Sequence, residues 1–252
     1  MILWLVFYFM LGTIAGSFLS CCASRFMHGR SIVYGRSVCE SCGHRLNAID
    51  LVPVFSYLYL RGRCRYCKET YGINSFAAEF ITGTAFVLCG MHAMPGLMLV
   101  LMFIFTGCLI LISLIDYEKQ IIPDFLSGVI AVSGLWYNFL HRPDMIFDAI
   151  SGGVLGFAIM LAVFVISRGG MGGGDVKLSA AAGLWLGVEG TIVFLLLAFA
   201  IGGIISIMLL ASGIKSKGDA VPFGPFLCIS AFVVLLYKPV LLNYYWNLFY
   251  GK

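Results

Sequence analysis

The stretch Arg168-Gly169-Gly170-Met171-Gly172-Gly173-Gly174-Asp175-Val176 decides the fold, because it separates long apolar runs and ends on a carboxylate. So many glycines cost backbone entropy, but they let a chain bend sharply and approach another chain closely. An ionisable residue at the edge of a membrane segment indicates a functional site. The alternative is a flexible loop whose Asp175 only caps the next helix, since Asp is a preferred N-cap residue.

The composition indicates a polytopic membrane protein built from helices. Of 252 residues, 61% are hydrophobic and only 11% are charged, whereas soluble domains carry about 25% charged residues. A membrane-spanning helix needs roughly 20 mostly apolar residues. We therefore expect an all-α protein with about eight transmembrane helices and one modest polar insert after the first of them.

Apolar runs and polar links alternate along the whole chain. The runs lie at 2–22, 73–91, 96–115, 125–140, 145–167, 176–187, 191–213 and 223–237. No basic segment precedes the first run, which predicts a spanning helix rather than a cleaved signal peptide. The predicted organisation is a first helix at 1–24, a cysteine-containing insert at 25–72 and the main membrane domain at 73–252, without an internal repeat in the polar part.

Basic residues are distributed unequally between the two sets of links. With eight spans, only Arg142, Lys238 and Lys252 lie on one side, so 13 of the 16 Lys and Arg residues lie on the other. These are Arg25, Arg30, Arg36, Arg45, Arg61, Arg63, Arg65, Lys68, Lys119, Arg168, Lys177, Lys215 and Lys217. The positive-inside rule then places the odd-numbered links in the cytoplasm and both termini outside.

The polar insert contains two C-x2-C pairs, formed by Cys39 with Cys42 and Cys64 with Cys67. Four cysteines at this spacing are typical of a tetrahedral structural zinc site. Two disulfides or four unligated thiols are the alternatives, although a reducing cytoplasm disfavours disulfides. We expect the metal to stabilise an insert that is too short to build its own core.

Two acidic residues stand at predicted membrane edges on the same side. Asp116 follows the third run directly, and Asp175 ends the glycine stretch. Two adjacent carboxylates can share one proton, so that one activates a water while the other donates to a carbonyl oxygen. Asp124 competes with Asp116, but it follows a proline and opens a helix, where capping explains it.

Two further residues carry weaker expectations. Glu79 lies inside the second run, where it could pair with a basic group or line a binding cavity. Lys177 follows Asp175 by two residues and could tune its ionisation or anchor the helix at lipid headgroups. Because Asp116 ends a helix and Asp175 begins one, helix dipoles favour Asp175 as the charged base.

Taken together, these motifs resemble the type IV prepilin peptidases, a family of GxGD intramembrane aspartyl proteases. The matching pieces are Gly16-Ser17-Phe18-Leu19, the two C-x2-C pairs, Asp116, Ile122-Pro123-Asp124, Gly172 to Leu178 and Pro222-Phe223-Gly224-Pro225-Phe226. The resemblance implies Asp116 and Asp175 as the catalytic pair. Gly172, Gly174, Lys177 and Glu79 are weaker candidates for binding substrate or cofactor. Ser20 stands where many relatives have Asn.

The resemblance also implies the reaction and its partners. The expected substrate is the basic leader of a pilin-like precursor, cut at the cytoplasmic face of the bacterial inner membrane. Many relatives also methylate the new N-terminus with S-adenosylmethionine, and methylation could be the main activity. No nucleic-acid partner is expected. A proton-coupled transporter is the rival reading, but it predicts midplane carboxylates and related repeats.

Overall fold

The computed structural model describes residues 2–31, 37–39, 41–70, 73–93, 95–141, 143–167, 170–213, 216 and 221–250. Arg36, Arg142, Arg168, Lys215, Lys217 and Lys252, which contribute to the charge distribution above, lie outside these ranges.

The fold is helical, as predicted. The helices are α1 (Ile2–Met27), α2 (Phe55–Leu60), α3 (Ile73–His92), α4 (Leu97–Lys119), α5 (Asp124–His141), α6 (Ile146–Ile166), α7 (Gly173–Ala211) and α8 (Gly224–Tyr250). Short 3-10 helices lie at Ala48–Leu51 and Pro143–Met145. The only β-pairing in the described residues is two isolated bridges. Each of the eight predicted runs is largely helical, and α1, α4 and α8 extend beyond the predicted ends.

Within the part of the chain that the structure describes, six helices are long and apolar enough to cross a membrane. The difference from eight has two physical causes. The sixth and seventh predicted spans are joined within α7, and α5 has only 18 residues with polar groups at both ends. The chain divides into two compact units, Met1–Leu99 and Val100–Lys252.

In the first unit, α1 packs against α3 through small residues. A Cβ atom on Gly12 would lie 2.7 Å from the Gly83 Cα atom, and one on Gly16 would lie 2.8 Å from the Glu79 Cα atom. The two backbones are therefore almost in contact. This is the way in which membrane helices gain packing energy when lipid offers no hydrophobic driving force.

In the second unit, α7 reverses direction at Gly187, which has φ 70° and ψ −178°. A Cβ atom on Gly156 of α6 would lie 2.6 Å from the Ser179 oxygen and 3.3 Å from the Thr191 side chain. In one straight helix those two residues would be about 18 Å apart. The sequence 173–211 is therefore a pair of helices side by side, which explains why the sequence predicted two spans here.

Polar side chains hold the reversal in place. Asp148 accepts a hydrogen bond from the Val188 amide at 3.2 Å, which caps the start of the second half of α7. The Lys238 ammonium donates to the Leu186 carbonyl at 2.9 Å, and so caps the end of the first half. Opposite charges at the two helix ends also complement the helix dipoles.

Candidate active site

Asp116 lies in the last turn of α4 and is only 5% exposed. Its Oδ2 atom accepts a hydrogen bond from the Gly224 amide, the first residue of α8, at 2.9 Å. A Cβ atom on residue 224 would lie 2.6 Å from that same oxygen, so only glycine fits. The end of α4 and the beginning of α8 therefore meet at this carboxylate.

Asp175 lies in the first turn of α7 and is only 7% exposed. Its Oδ2 atom accepts a hydrogen bond from the Gly172 amide at 3.2 Å, so the side chain does cap its own helix. The N-cap residue of α7 is Gly172, so Asp175 is not the N-cap itself but the third residue of the helix, and its carboxylate bonds back to the N-cap amide. This capping bond does not explain why a carboxylate is buried here, since capping residues function equally well at an exposed helix end.

The two carboxylates belong to one cluster within the second unit. The charge of Asp116 acts on Asp175, and the buried thiol of Cys228, one turn into α8, lies within the electrostatic reach of both. The ends of α4, α7 and α8 thus bring together two acidic groups. A pair of buried acids in a membrane helix bundle is costly, and such groups are typically functional.

The link between α4 and α5 packs over the start of α7. A Cβ atom on Gly174 would lie 2.8 Å from the Ile122 Cβ atom, so the glycine permits a close approach. Lys177 forms an ion pair with Asp124 at 2.7 Å, and both side chains are largely exposed. The expectation that Lys177 either tunes Asp175 or anchors at headgroups did not include this partner. Gly172 and Gly173 are exposed.

Glu79 is 8% exposed within α3 of the first unit. Its Oε2 atom accepts a hydrogen bond from the Val54 amide at 2.7 Å. The expected basic partner is thus replaced by a backbone amide of the insert. That partner could not be predicted from the sequence, because Val54 has φ 63° and ψ −52°, a conformation that is rare for a β-branched residue.

The four cysteines of the insert form a candidate metal centre. The Sγ atoms of Cys39, Cys42, Cys64 and Cys67 all lie within 4.8 Å of one another. The Sγ atoms of Cys39 and Cys67 are 3.8 Å apart, and a tetrahedral site with Zn–S bonds of about 2.3 Å requires about this separation. The donor set fits a closed zinc site with no open position for catalysis.

The two C-x2-C pairs have equivalent backbone geometry, which the expectation of no internal repeat in the polar part did not include. In each pair the first cysteine accepts an amide hydrogen bond four residues on, from Gly43 and Lys68, and both donors have positive φ. Isolated bridges flank each pair in the same way, Val38 with Arg45 and Arg63 with Thr70. The repeat is one of backbone geometry, and few of its side chains match.

Side chains other than the four cysteines connect the two C-x2-C pairs. The rings of His44 and Tyr66 lie 3.6 Å apart between centroids. Asp50 forms an ion pair with Arg65 at 2.8 Å, and Asn47 donates to the Tyr66 hydroxyl at 2.9 Å. The Tyr66 hydroxyl also donates to the Asp50 carboxylate at 3.4 Å. Desolvation and this carboxylate raise the pKa of Tyr66.

Sequence reasoning missed two residues of these sites. Gly224 was recognised only as part of a motif, although its amide holds Asp116. Cys228 was not singled out, although its buried thiol lies within electrostatic reach of both acids. The spacing of four residues between them, one turn of helix, was the available signal.

Comparisons with known proteins match both units. Residues 10–93 match the Bacterial Peptidase A24 N-terminal domain, and residues 103–207 match the Type IV leader peptidase family. No solved structure matches the chain significantly.

Curated relatives cover most of the chain. The prepilin leader peptidase/N-methyltransferase of Aeromonas salmonicida is 30% identical over 85% of this chain and 76% of its own length. The Pseudomonas aeruginosa protein of the same name is 32% identical over 82% and 73%. The one from Bacillus subtilis is 27% identical over 94% and 96%. The chain therefore belongs to the type IV leader peptidase family.

Proposed function

We propose that this protein is an aspartyl endopeptidase of the membrane that removes the basic leader from prepilin-like precursors. The observation that carries the proposal is the pair of buried carboxylates, Asp116 and Asp175, at the meeting point of three helix ends. The family membership supports the substrate class. A transporter is disfavoured, because it would need its acids near the bilayer midplane.

In the proposed reaction the two acids act as a unit that holds one proton. The charged carboxylate takes a proton from water as the water oxygen attacks the scissile carbonyl carbon. The protonated carboxyl group gives its proton to the carbonyl oxygen. As the C–N bond of the tetrahedral intermediate then breaks, the first carboxyl protonates the departing amine, and a hydroxyl group of the intermediate returns a proton to the second carboxylate. The proton count balances over the cycle, and the titration belongs to the pair.

The strip from Gly172 to Gly174 has a supporting role in this proposal. The Gly172 amide orients Asp175, and the exposed glycines leave the backbone accessible to an extended substrate. Lys177 supports the same region through its ion pair with Asp124. Glu79 accepts a hydrogen bond from the Val54 amide and so connects the insert to α3. Its position between these two elements supports a role for Glu79 in binding substrate or cofactor.

We further propose that the insert binds one structural zinc ion and that the enzyme also methylates the new N-terminus with S-adenosylmethionine. The cysteine geometry supports the metal, and the names of the relatives support the methylation. When bound, zinc supplies a rigid cross-link in place of a hydrophobic core.

The proposed orientation places the active site and the insert in the cytoplasm, and both termini outside. The unequal distribution of basic residues supports it. The contacts of Gly224 with Asp116 and of Lys177 with Asp124 also support it, because they bring three links onto one end of the second unit, as eight spans require.

A single assay tests this function. The purified full-length protein is incubated with a prepilin precursor, with and without S-adenosylmethionine, and the products are weighed by mass spectrometry. Leader removal is expected in both reactions, and one added methyl group only with the cofactor. An intact precursor in both reactions, from protein that is folded and contains zinc, would refute the peptidase.

A further inference from the structure

The short helix α2 lies against the first two turns of the membrane helix α3. The Tyr57 ring stacks on the Phe76 ring with centroids 4.8 Å apart, and the Val54 amide bonds to Glu79. A tight three-residue turn aims that amide, since Phe55 donates back to the Pro53 carbonyl at 2.6 Å. A β-branched residue at positive φ is strained, and it persists where surrounding contacts hold it.

These contacts set the depth of α2 in the membrane. The helix α3 has 20 residues, which gives a length of about 30 Å. This equals the thickness of the hydrocarbon core, so α3 needs its first turns to span it. Because α2 is joined to Glu79, the seventh residue of α3 and about 9 Å from its start, it lies in the shallow layer below the headgroups that interfacial helices occupy.

The outer side of α2 is apolar. Phe55, Leu58 and Tyr59 are 69%, 59% and 81% exposed. Such side chains are unfavourable in water but suited to the membrane interface, where short helices bury one face among acyl chains.

A cationic cavity follows directly after this helix. It has a volume of about 360 Å³ and is lined by Leu60, Arg61, Arg63, Cys64 and Lys68. Across the described ranges of the chain, none of its three basic side chains forms an ion pair. The zinc ion and four thiolates proposed above carry a net negative charge beside the cavity, but the three basic side chains exceed it. Basic groups in excess at headgroup depth attract anionic lipids.

We propose that α2 and this cavity together bind an anionic phospholipid. The phosphate lies among Arg61, Arg63 and Lys68, and the acyl chains lie along Phe55 and Leu58. A basic leader peptide is unsuited to the cavity because like charges repel. A free phosphate would leave the apolar face uncovered, so a lipid satisfies both halves of the site.

The test measures lipid retention by native mass spectrometry of the full-length protein in mild detergent. Wild-type protein should retain phosphatidylglycerol in preference to phosphatidylcholine. The variant Arg61→Asn/Arg63→Gln/Lys68→Asn should bind phosphatidylglycerol roughly a hundredfold more weakly. Asn suits positions 61 and 68 because both have positive φ, and zinc content confirms that the insert is intact.

A matched variant, Arg30→Gln/Arg45→Gln/Lys119→Gln, removes the same charge elsewhere and should keep the preference. Equal losses in the two triple variants, or equal retention of both lipids by wild type, would overturn the proposal. So would complete displacement of the lipid by millimolar inorganic phosphate, which would indicate a phosphate site.

A second measurement tests the depth independently of charge. In nanodiscs, a Tyr59→Trp variant should show additional fluorescence quenching by brominated lipids beyond that of the four natural tryptophans. Absence of additional quenching would place α2 in water and contradict the proposal.

Discussion

At the scale of single residues, Asp116 and Asp175 are held in the same way. Each Oδ2 atom accepts one backbone amide at the beginning of a helix, from Gly224 and Gly172 respectively. The dipole argument for Asp175 as the base considered only the helix on which each residue lies. The beginning of α8 also favours a charged Asp116, so helix ends do not separate the two roles.

We predict that Gly224→Ala lowers the rate of precursor cleavage by about tenfold or more. Its Cβ atom would lie 2.6 Å from the Asp116 Oδ2 atom, so the carboxylate must move, and small displacements in an active site are costly. Gly203→Ala on α7 is the matched control, because nothing lies within 4 Å of its Cβ position. Cleavage rates at equal protein concentration give the comparison, and equal rates would contradict the prediction.

At the scale of elements, the reversal of α7 depends on few groups. Gly187 supplies the positive φ, and Asp148 caps the Val188 amide.

We predict that Asp148→Ala lowers the free energy of unfolding by about 0.5–2 kcal/mol, whereas Asp148→Asn is nearly neutral because Asn also caps helices. Thermal unfolding in detergent measures both. Equal losses of unfolding free energy in the two variants would show that the Asp148 charge, and not its hydrogen bond to the Val188 amide, stabilises the reversal.

The fold of the insert is expected to depend on its metal ion, as the reversal of α7 depends on its capping groups. Cys39→Ser should lose stoichiometric zinc and make residues 38–70 sensitive to proteolysis, because the metal replaces a core. Cys21→Ser, a change in α1 outside the cluster, should retain the zinc. Metal content and limited proteolysis are the measurements. A folded, protease-resistant insert without zinc would contradict the structural role.

At the scale of the whole molecule, hydropathy was sufficient to predict the helices, because each run must satisfy its backbone hydrogen bonds internally. It could not predict that the runs at 176–187 and 191–213 join at Gly187, since that depends on contacts with α6. It also could not predict α2, whose position depends on the contact between Val54 and Glu79. The acids were found because carboxylates are rare in such a chain. The Gly224 and Gly172 amides that bond to these acids were not predicted, because every residue except proline has a backbone amide.

The topology has its own prediction. Single cysteines that replace Lys119 and Lys217 should react with impermeant reagents only from the cytoplasmic side, and one that replaces Asp144 only from outside. The reason is the charge distribution between links. Wild-type protein sets the background from natural cysteines. Labelling of positions 119 and 217 from opposite sides would exclude eight spans.

The central claim is that Asp116 and Asp175 perform the cleavage, and a precursor-cleavage assay on three variants tests it most directly. Asp116→Asn and Asp175→Asn should each lower the rate by roughly 10²–10⁴-fold or more, because Asn neither accepts nor donates the proton. Asp124→Asn should keep substantial activity, since an exposed ion pair contributes only about 0–1 kcal/mol and Asn caps helices. Folded Asp116→Asn protein that still cleaves, together with inactive Asp124→Asn protein, would show that the first catalytic aspartate is Asp124.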